Sequence, residues 1–196
     1  MLKHMLRFSA PLSLLPGLAQ AHPGHDLTAT FSVGLLHPLT GIDHLLVMFA
    51  MGLWAARLSK AWYARATTGY LGLLWVGAGL SQVGALAVLQ GGNLELALAS
   101  SVLVGGACLV MIRQLHTAVG LSIFSALALL QGYAHGSEMP VQATLGSYLA
   151  GLSVCSVAVS VAALFAARWL QRVQLAHTIR WMGGALLVAG ATLLVS

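Results

Sequence analysis

Residues 28–56 read TATFSVGLLHPLTGIDHLLVMFAMGLWAA. A helix needs ~20 apolar residues to cross ~30 Å of hydrocarbon, so this stretch is long enough to span, tilt or break. Yet His37, Asp43 and His44 stand inside it. An ionisable group within a span costs at least ~2.5–3.5 kcal/mol by insertion scales, which makes each a functional candidate. The stretch also carries its own interruption. Pro38 cannot donate a backbone hydrogen bond and disfavours helix at His37, and Gly34 and Gly41 permit unusual dihedrals. Thr40-Gly41-Ile42-Asp43 matches the helix-capping pattern S/T-x-x-D/E. The spacing therefore predicts a helix broken near His37–Gly41, with a new segment starting near Thr40. Broken spans line cavities in transporters, because unwound backbone at membrane depth must be satisfied by protein, water or ion.

The rest of the chain belongs in the same medium. Its 196 residues are 59% hydrophobic and 7% charged, with a mean hydropathy of +0.89. A soluble domain is about 25% charged, so a water-soluble globule is excluded. The formal charge of +5 comes from nine Lys/Arg against four acids, with no basic patch or stripe, which excludes a nucleic-acid binder. Lys3 and Arg7, the short apolar run 8–18 and Ala19-Gln20-Ala21 read as a secretory signal peptide, residues 1–21, cleaved to leave His22-Pro23-Gly24-His25-Asp26 outside. Residues 22–196 then form one membrane domain.

The fold class is all-α: a polytopic integral membrane protein with six spans, near 28–56, 67–90, 95–112, 115–133, 141–167 and 179–195. The connections near 57–66, 113–114 and 168–178, with their span ends, hold Arg57, Lys60, Arg65, Arg113, Arg168, Arg172 and Arg180, and the opposite connections hold no Lys or Arg. By the positive-inside rule both termini lie on the outer side. Small residues such as Gly77-Ala78-Gly79, Gly105-Gly106 and Gly183-Gly184 suit close helix packing. Cys108 and Cys155 read as buried free thiols.

The few polar residues gather along one path. His37 and His44 are two turns apart, and at 1.5 Å per residue a continuous helix puts Asp43 and His44 ~22 Å in from residue 28, near mid-membrane. GYAHGSEMP, residues 132–140, supplies His135 and Glu138, three apart, at the outer end of the fourth span. The expected deep site is His37, Asp43 and His44; the expected outer vestibule is His22, His25, Asp26, His135 and Glu138. Imidazole and carboxylate together suit borderline divalent ions such as nickel, cobalt and zinc. Met48, otherwise core packing, and Gln131 are secondary candidates. His116 and His177 have no acidic partner nearby in sequence and read as structural. No phosphate-cradling loop and no H-E-x-x-H pair is present, so neither ATP hydrolysis nor a zinc protease is read, and the chain is not taken for an enzyme.

HPLTGIDHLLVMFAMGLWAA and GYAHGSEMP resemble the HupE/UreJ family of bacterial membrane proteins associated with hydrogenase and urease systems. The family's His-Pro-x-x-Gly-x-Asp-His matches His37, Pro38, Gly41, Asp43 and His44. Family members often carry His before the glycine of the second motif, where this chain has Gln131. The resemblance implies a permease of the bacterial inner membrane that carries nickel or cobalt as cargo, with no prosthetic group. It implies the bilayer and a divalent ion as partners, with a homo-oligomer or metallochaperone further candidates. The other reading is a membrane metal-binding accessory or sensor protein that does not itself transport.

Overall fold

The computed structural model describes residues 27–195. The expected signal peptide and His22, His25 and Asp26 lie outside the described residues. Among those described, the order is α1 (Leu27–Leu36), α2 (Ile42–Ala55), α3 (Lys60–Gln82), α4 (Gly92–Val110), α5 (Thr117–Ser137), α6 (Leu145–Arg172) and α7 (His177–Leu193), with no strand. Helices α4, α5 and α6 are each long and apolar enough to cross a membrane, and α1 with α2 makes a fourth if the pair is one span. The chain is therefore a helical membrane protein. By length and composition, α3 and the 17-residue α7 fall outside that measure, so six crossings are more than helix length alone carries.

The break in the first span is present and sharper than a kink. A single 3-10 turn, His37–Leu39, separates α1 from α2, and the two helices differ in direction by 79°. Their rises do not add along one axis, so the ~22 Å depth expected for His44 from a continuous helix does not hold. The expected Thr40 cap does not form either. The Thr40 hydroxyl donates to the His37 carbonyl at 2.7 Å, closing the tight turn that Pro38 begins. Gly41 takes the cap position with no side chain to offer, and Asp43 Oδ1 accepts from the His44 amide at 3.0 Å. A Cβ at Gly41 would lie 2.5 Å from the His44 ring, so glycine is required by space.

The second span is displaced from its expected limits. Ser59 starts α3 at Lys60 by accepting from the Trp62 amide, and Gly84 at φ +68° with Leu86 at φ +59° turns the chain beyond Gln82. The expected 67–90 therefore gives way to a helix lying about two turns earlier. At the other helix ends the differences are smaller, but α5 continues through Ser137 and so takes His135 into its last turns.

Small residues set the packing. α1 crosses the first turns of α6, with Gly34 against the Tyr148 backbone and Gly151 against Phe31 and Leu35. α2 runs beside the later turns of α6, where the Ser160 hydroxyl donates to the Met48 carbonyl at 3.3 Å. α4 lies against α7 through Gly106 and Gly183, and α3 against α5 through Gly77 and Gly132. Trp54, Leu53, Val102, Leu109 and Phe124 fill the main core, and Cys108 and Cys155 are buried free thiols. The arginines meet at one end: Arg57 donates to the carbonyls of Ile112 and Leu115, Arg168 to Leu58, and Arg180 to Val110.

A Cβ at Gly132 would stand 2.0 Å from the Leu74 carbonyl oxygen, whereas one at Gly79 would meet nothing within 4 Å. Gly132→Ala should destabilise by about 1–3 kcal/mol, as overpacking does. Gly79→Ala should be neutral or stabilising by up to about 1 kcal/mol, since alanine is the better helix former. Thermal melting of the two variants in detergent checks the contrast, and equal melting temperatures would refute it.

Candidate metal site

Three elements converge on one point. The bend holds His37, the first turn of α2 holds His44, and α5 carries Gln131 and His135, with Glu138 at its C-cap. Gln131, His135 and Glu138 are spaced i, i+4 and i+7, so they share one face of α5. His37 Nε2 lies 3.0 Å from Glu138 Oε2, and His44 Nε2 lies 3.5 Å from the same oxygen. The imidazole of His135 sits 4.2 Å from that of His44 and 5.2 Å from that of His37, centroid to centroid.

One ligand atom each from His37, His135 and Glu138 falls within 4.8 Å of the others. Donors bound to one ion at ~2.1 Å are at most ~4.2 Å apart, so only a small closure would bring all three onto a common centre. The deep site and outer vestibule expected from sequence are therefore not separate in these residues. His135 and Glu138 lie against His37 and His44, because the sharp bend swings His37 toward the end of α5.

The hydrogen bonds behind His44 orient its ring. The Ser101 hydroxyl donates to the Leu98 carbonyl at 2.5 Å, and Gln131 Nε2 donates to Ser101 Oγ at 3.4 Å. That leaves Gln131 Oε1 facing His44 Nδ1, with which it is hydrogen-bonded. A carbonyl oxygen only accepts, so Nδ1 carries a proton toward Gln131, and Nε2 is turned to the Glu138 carboxylate. Outer partners of this kind orient metal-binding imidazoles. Gln131, where the resemblance implied an imidazole, thus orients a neighbouring one.

Two more buried polar atoms belong to residues of this cluster. His135 Nδ1 and the Tyr148 hydroxyl have no hydrogen bond among the described residues. The Tyr148 ring stands 5.7 Å from His37 and walls the site from α6. Glu138 is the open edge, its side chain 38% exposed. Burial raises its pKa, but hydrogen bonds from His37 and His44 outweigh this and hold the carboxyl well below the usual carboxylate range. The site is one anionic oxygen among three imidazoles.

Asp43 stands apart from this group, its carboxylate on the His44 amide. Met48 is buried one turn past His44. His116 caps α5 by accepting from the Ala118 amide, and His177 opens α7 at the arginine end. Sequence reading missed Tyr148 and Ser101. Both sit in apolar stretches of other helices, and nothing local in sequence marks them.

Fold and site define a helical membrane protein with an imidazole–carboxylate cluster that opens at Glu138. A model of the HupE / UreJ protein family matches residues 10–193, and the chain belongs to that family. It is similar to Protein HupE of Rhizobium leguminosarum bv. viciae, with 31% identity over 183 residues covering 92% of each chain. No solved structure matches it.

Gln131→Leu removes the acceptor that holds His44 while leaving the four converging side chains in place. For a divalent ion held by this cluster, it should weaken binding by about 10–100-fold, the usual effect of losing such a partner. Calorimetric titration of the purified protein with Ni2+ measures this, and an unchanged affinity would refute the orienting role.

Proposed function

We propose that the chain is an inner-membrane permease for uptake of a divalent transition-metal ion, nickel first and cobalt second. It would supply assembly of a metalloenzyme such as hydrogenase or urease. The observation that carries this reading is the convergence of His37, His44, His135 and Glu138 from the bend, α2 and α5. Three imidazoles and one carboxylate form a donor set for borderline divalent ions. HupE/UreJ membership supports the same reading.

In this reading the helices make six crossings, with the arginine end cytoplasmic by the positive-inside rule. The imidazole cluster then faces the periplasm, as do both termini. His22, His25 and Asp26 capture metal at that mouth, and Asp43 adds negative charge one residue from His44. Toward the arginine end, a cavity of about 240 Å³ is lined in part by Met51, Tyr63 and Ser160, and it offers an inward route. Trp54 Nε1 and Tyr63 Oη, also in its lining, have no hydrogen-bond partner among the described residues and are free to bond a hydrated ion's water. A divalent ion moving inward across ~100 mV gains ~4.6 kcal/mol, twice the value per charge. That supports accumulation of more than about a thousandfold.

Radioactive nickel uptake into cells with and without the chain tests the reading. At normal expression, His44→Ala and Glu138→Gln should each lower the initial rate at trace metal by about tenfold or more. Asp43→Asn should lower it less, and Asp43→Glu should restore it. Nickel binding without any rise in uptake would instead identify an accessory protein.

Metal competes with protons for imidazole, whose ordinary pKa is ~6.5. Acidification from about pH 7.5 to 5.5 should weaken apparent affinity, with the change carried mainly by an outer-histidine step. Uptake at fixed free metal and clamped potential checks the sign. A rate that rises as external pH falls would indicate proton coupling rather than simple competition.

A further inference from the structure

A second cavity, of about 420 Å³, opens at the arginine end, among the end of α2, the α4–α5 link and the α6–α7 link. Arg57, Arg113, Gln171, Gln174, His177 and Arg180 line it, and no carboxylate does. The described acids are elsewhere: Asp43 and Glu138 beside the imidazoles, and Glu95 in the first turn of α4, whose last turn is the one near this cavity. Among the described residues the positive charge here has no counter-ion.

The donors are also pre-set. Arg57 Nη1 is held by the Ile112 and Leu115 carbonyls at 2.8 and 2.7 Å, and Arg180 Nε by the Val110 carbonyl at 3.1 Å. Each guanidinium has five N–H donors, so several remain on groups that are already oriented. The side chains of Arg113, Gln171, Gln174 and His177 make no hydrogen bond among the described residues. Helix α7 begins at His177, so the positive end of its dipole adds to the same field. Oriented guanidiniums match the paired oxygens of a phosphate.

The surroundings favour a phosphate carried by a lipid. Trp169, Leu175 and Trp181, in and beside the α6–α7 link, are exposed. Tryptophan concentrates at the membrane interface, where one end of the ring is apolar and the other wet. Basic pockets between membrane helices on the cytoplasmic side take anionic headgroups. We propose that this cavity binds the phosphodiester headgroup of an anionic phospholipid, clamping the two inner links and the end of α2 together.

The test uses the full protein, delipidated in neutral detergent and offered phosphatidylglycerol or phosphatidylcholine, with retained lipid counted by native mass spectrometry. Phosphatidylglycerol should be retained over phosphatidylcholine by about tenfold or more, and Arg113→Gln should cut that preference by about fivefold, one basic residue's share near an anionic lipid. Arg65→Gln removes a cation that lies over Trp62, outside this cavity, and should leave the preference unchanged. Arg113→Lys keeps the charge without the planar fork and should fall between wild type and Arg113→Gln, which keeps the test informative if the glutamine variant misfolds. Equal retention of the two lipids, or a preference indifferent to both Arg113 variants, would overturn the proposal. If inorganic phosphate alone raises the melting temperature as much as phosphatidylglycerol does, the site is for a soluble phosphate and the lipid assignment falls.

Discussion

A polar group in hydrocarbon has no water to turn to, and the structure follows from how that need is met at the His37–Gly41 bend. Pro38 and Gly41 stop the helix inside an apolar stretch, and Thr40 spends its hydroxyl on the His37 carbonyl instead of capping α2. The chain turns through 79°, and the His37 and His44 side chains swing toward α5. There they meet the face carrying Gln131, His135 and Glu138. A straight helix would keep the two arms of the first span in line and leave each histidine to find its own partner.

The close approach of α5 depends on glycine. Gly132 packs against the Leu74 backbone and Gly136 against Ala78, flanking His135 along α5. Lipid offers no hydrophobic drive for helix association, so backbone-to-backbone packing of this sort carries the contact. From α5, Gln131 links two further helices, joining His44 of α2 to Ser101 of α4, whose hydroxyl donates to the Leu98 carbonyl.

Charge divides the bundle into two chemically different ends. One gathers imidazoles and a carboxylate; the other gathers guanidiniums that hold carbonyls at the end of α4 and in the α4–α5 link. Since α2 runs from His44 to Ala55, just before Arg57, it joins the two ends directly. A change in the carbonyl contacts of Arg57 is therefore connected to the imidazole cluster by a single helix of 14 residues.

Composition and residue spacing were enough to determine a membrane medium, helices throughout the described residues, a break after His37 and a short list of candidate polar residues, because each rests on transfer energy or local backbone sterics. HPLTGIDH marked the break through Pro38 and Gly41, and the scarcity of ionisable residues marked His37, His44, His135 and Glu138. Helix ends were less legible: α3 begins at a Ser59 cap and ends before two positive-φ residues, and hydropathy registers neither. Only the tertiary structure decided that His135 and Glu138 share a site with His37 and His44, while Asp43 turns to its own helix. It alone showed Gln131, Ser101 and Tyr148 completing the surroundings. Those outcomes depend on a bend angle and on the meeting of helices far apart in the chain, and local sequence patterns encode neither.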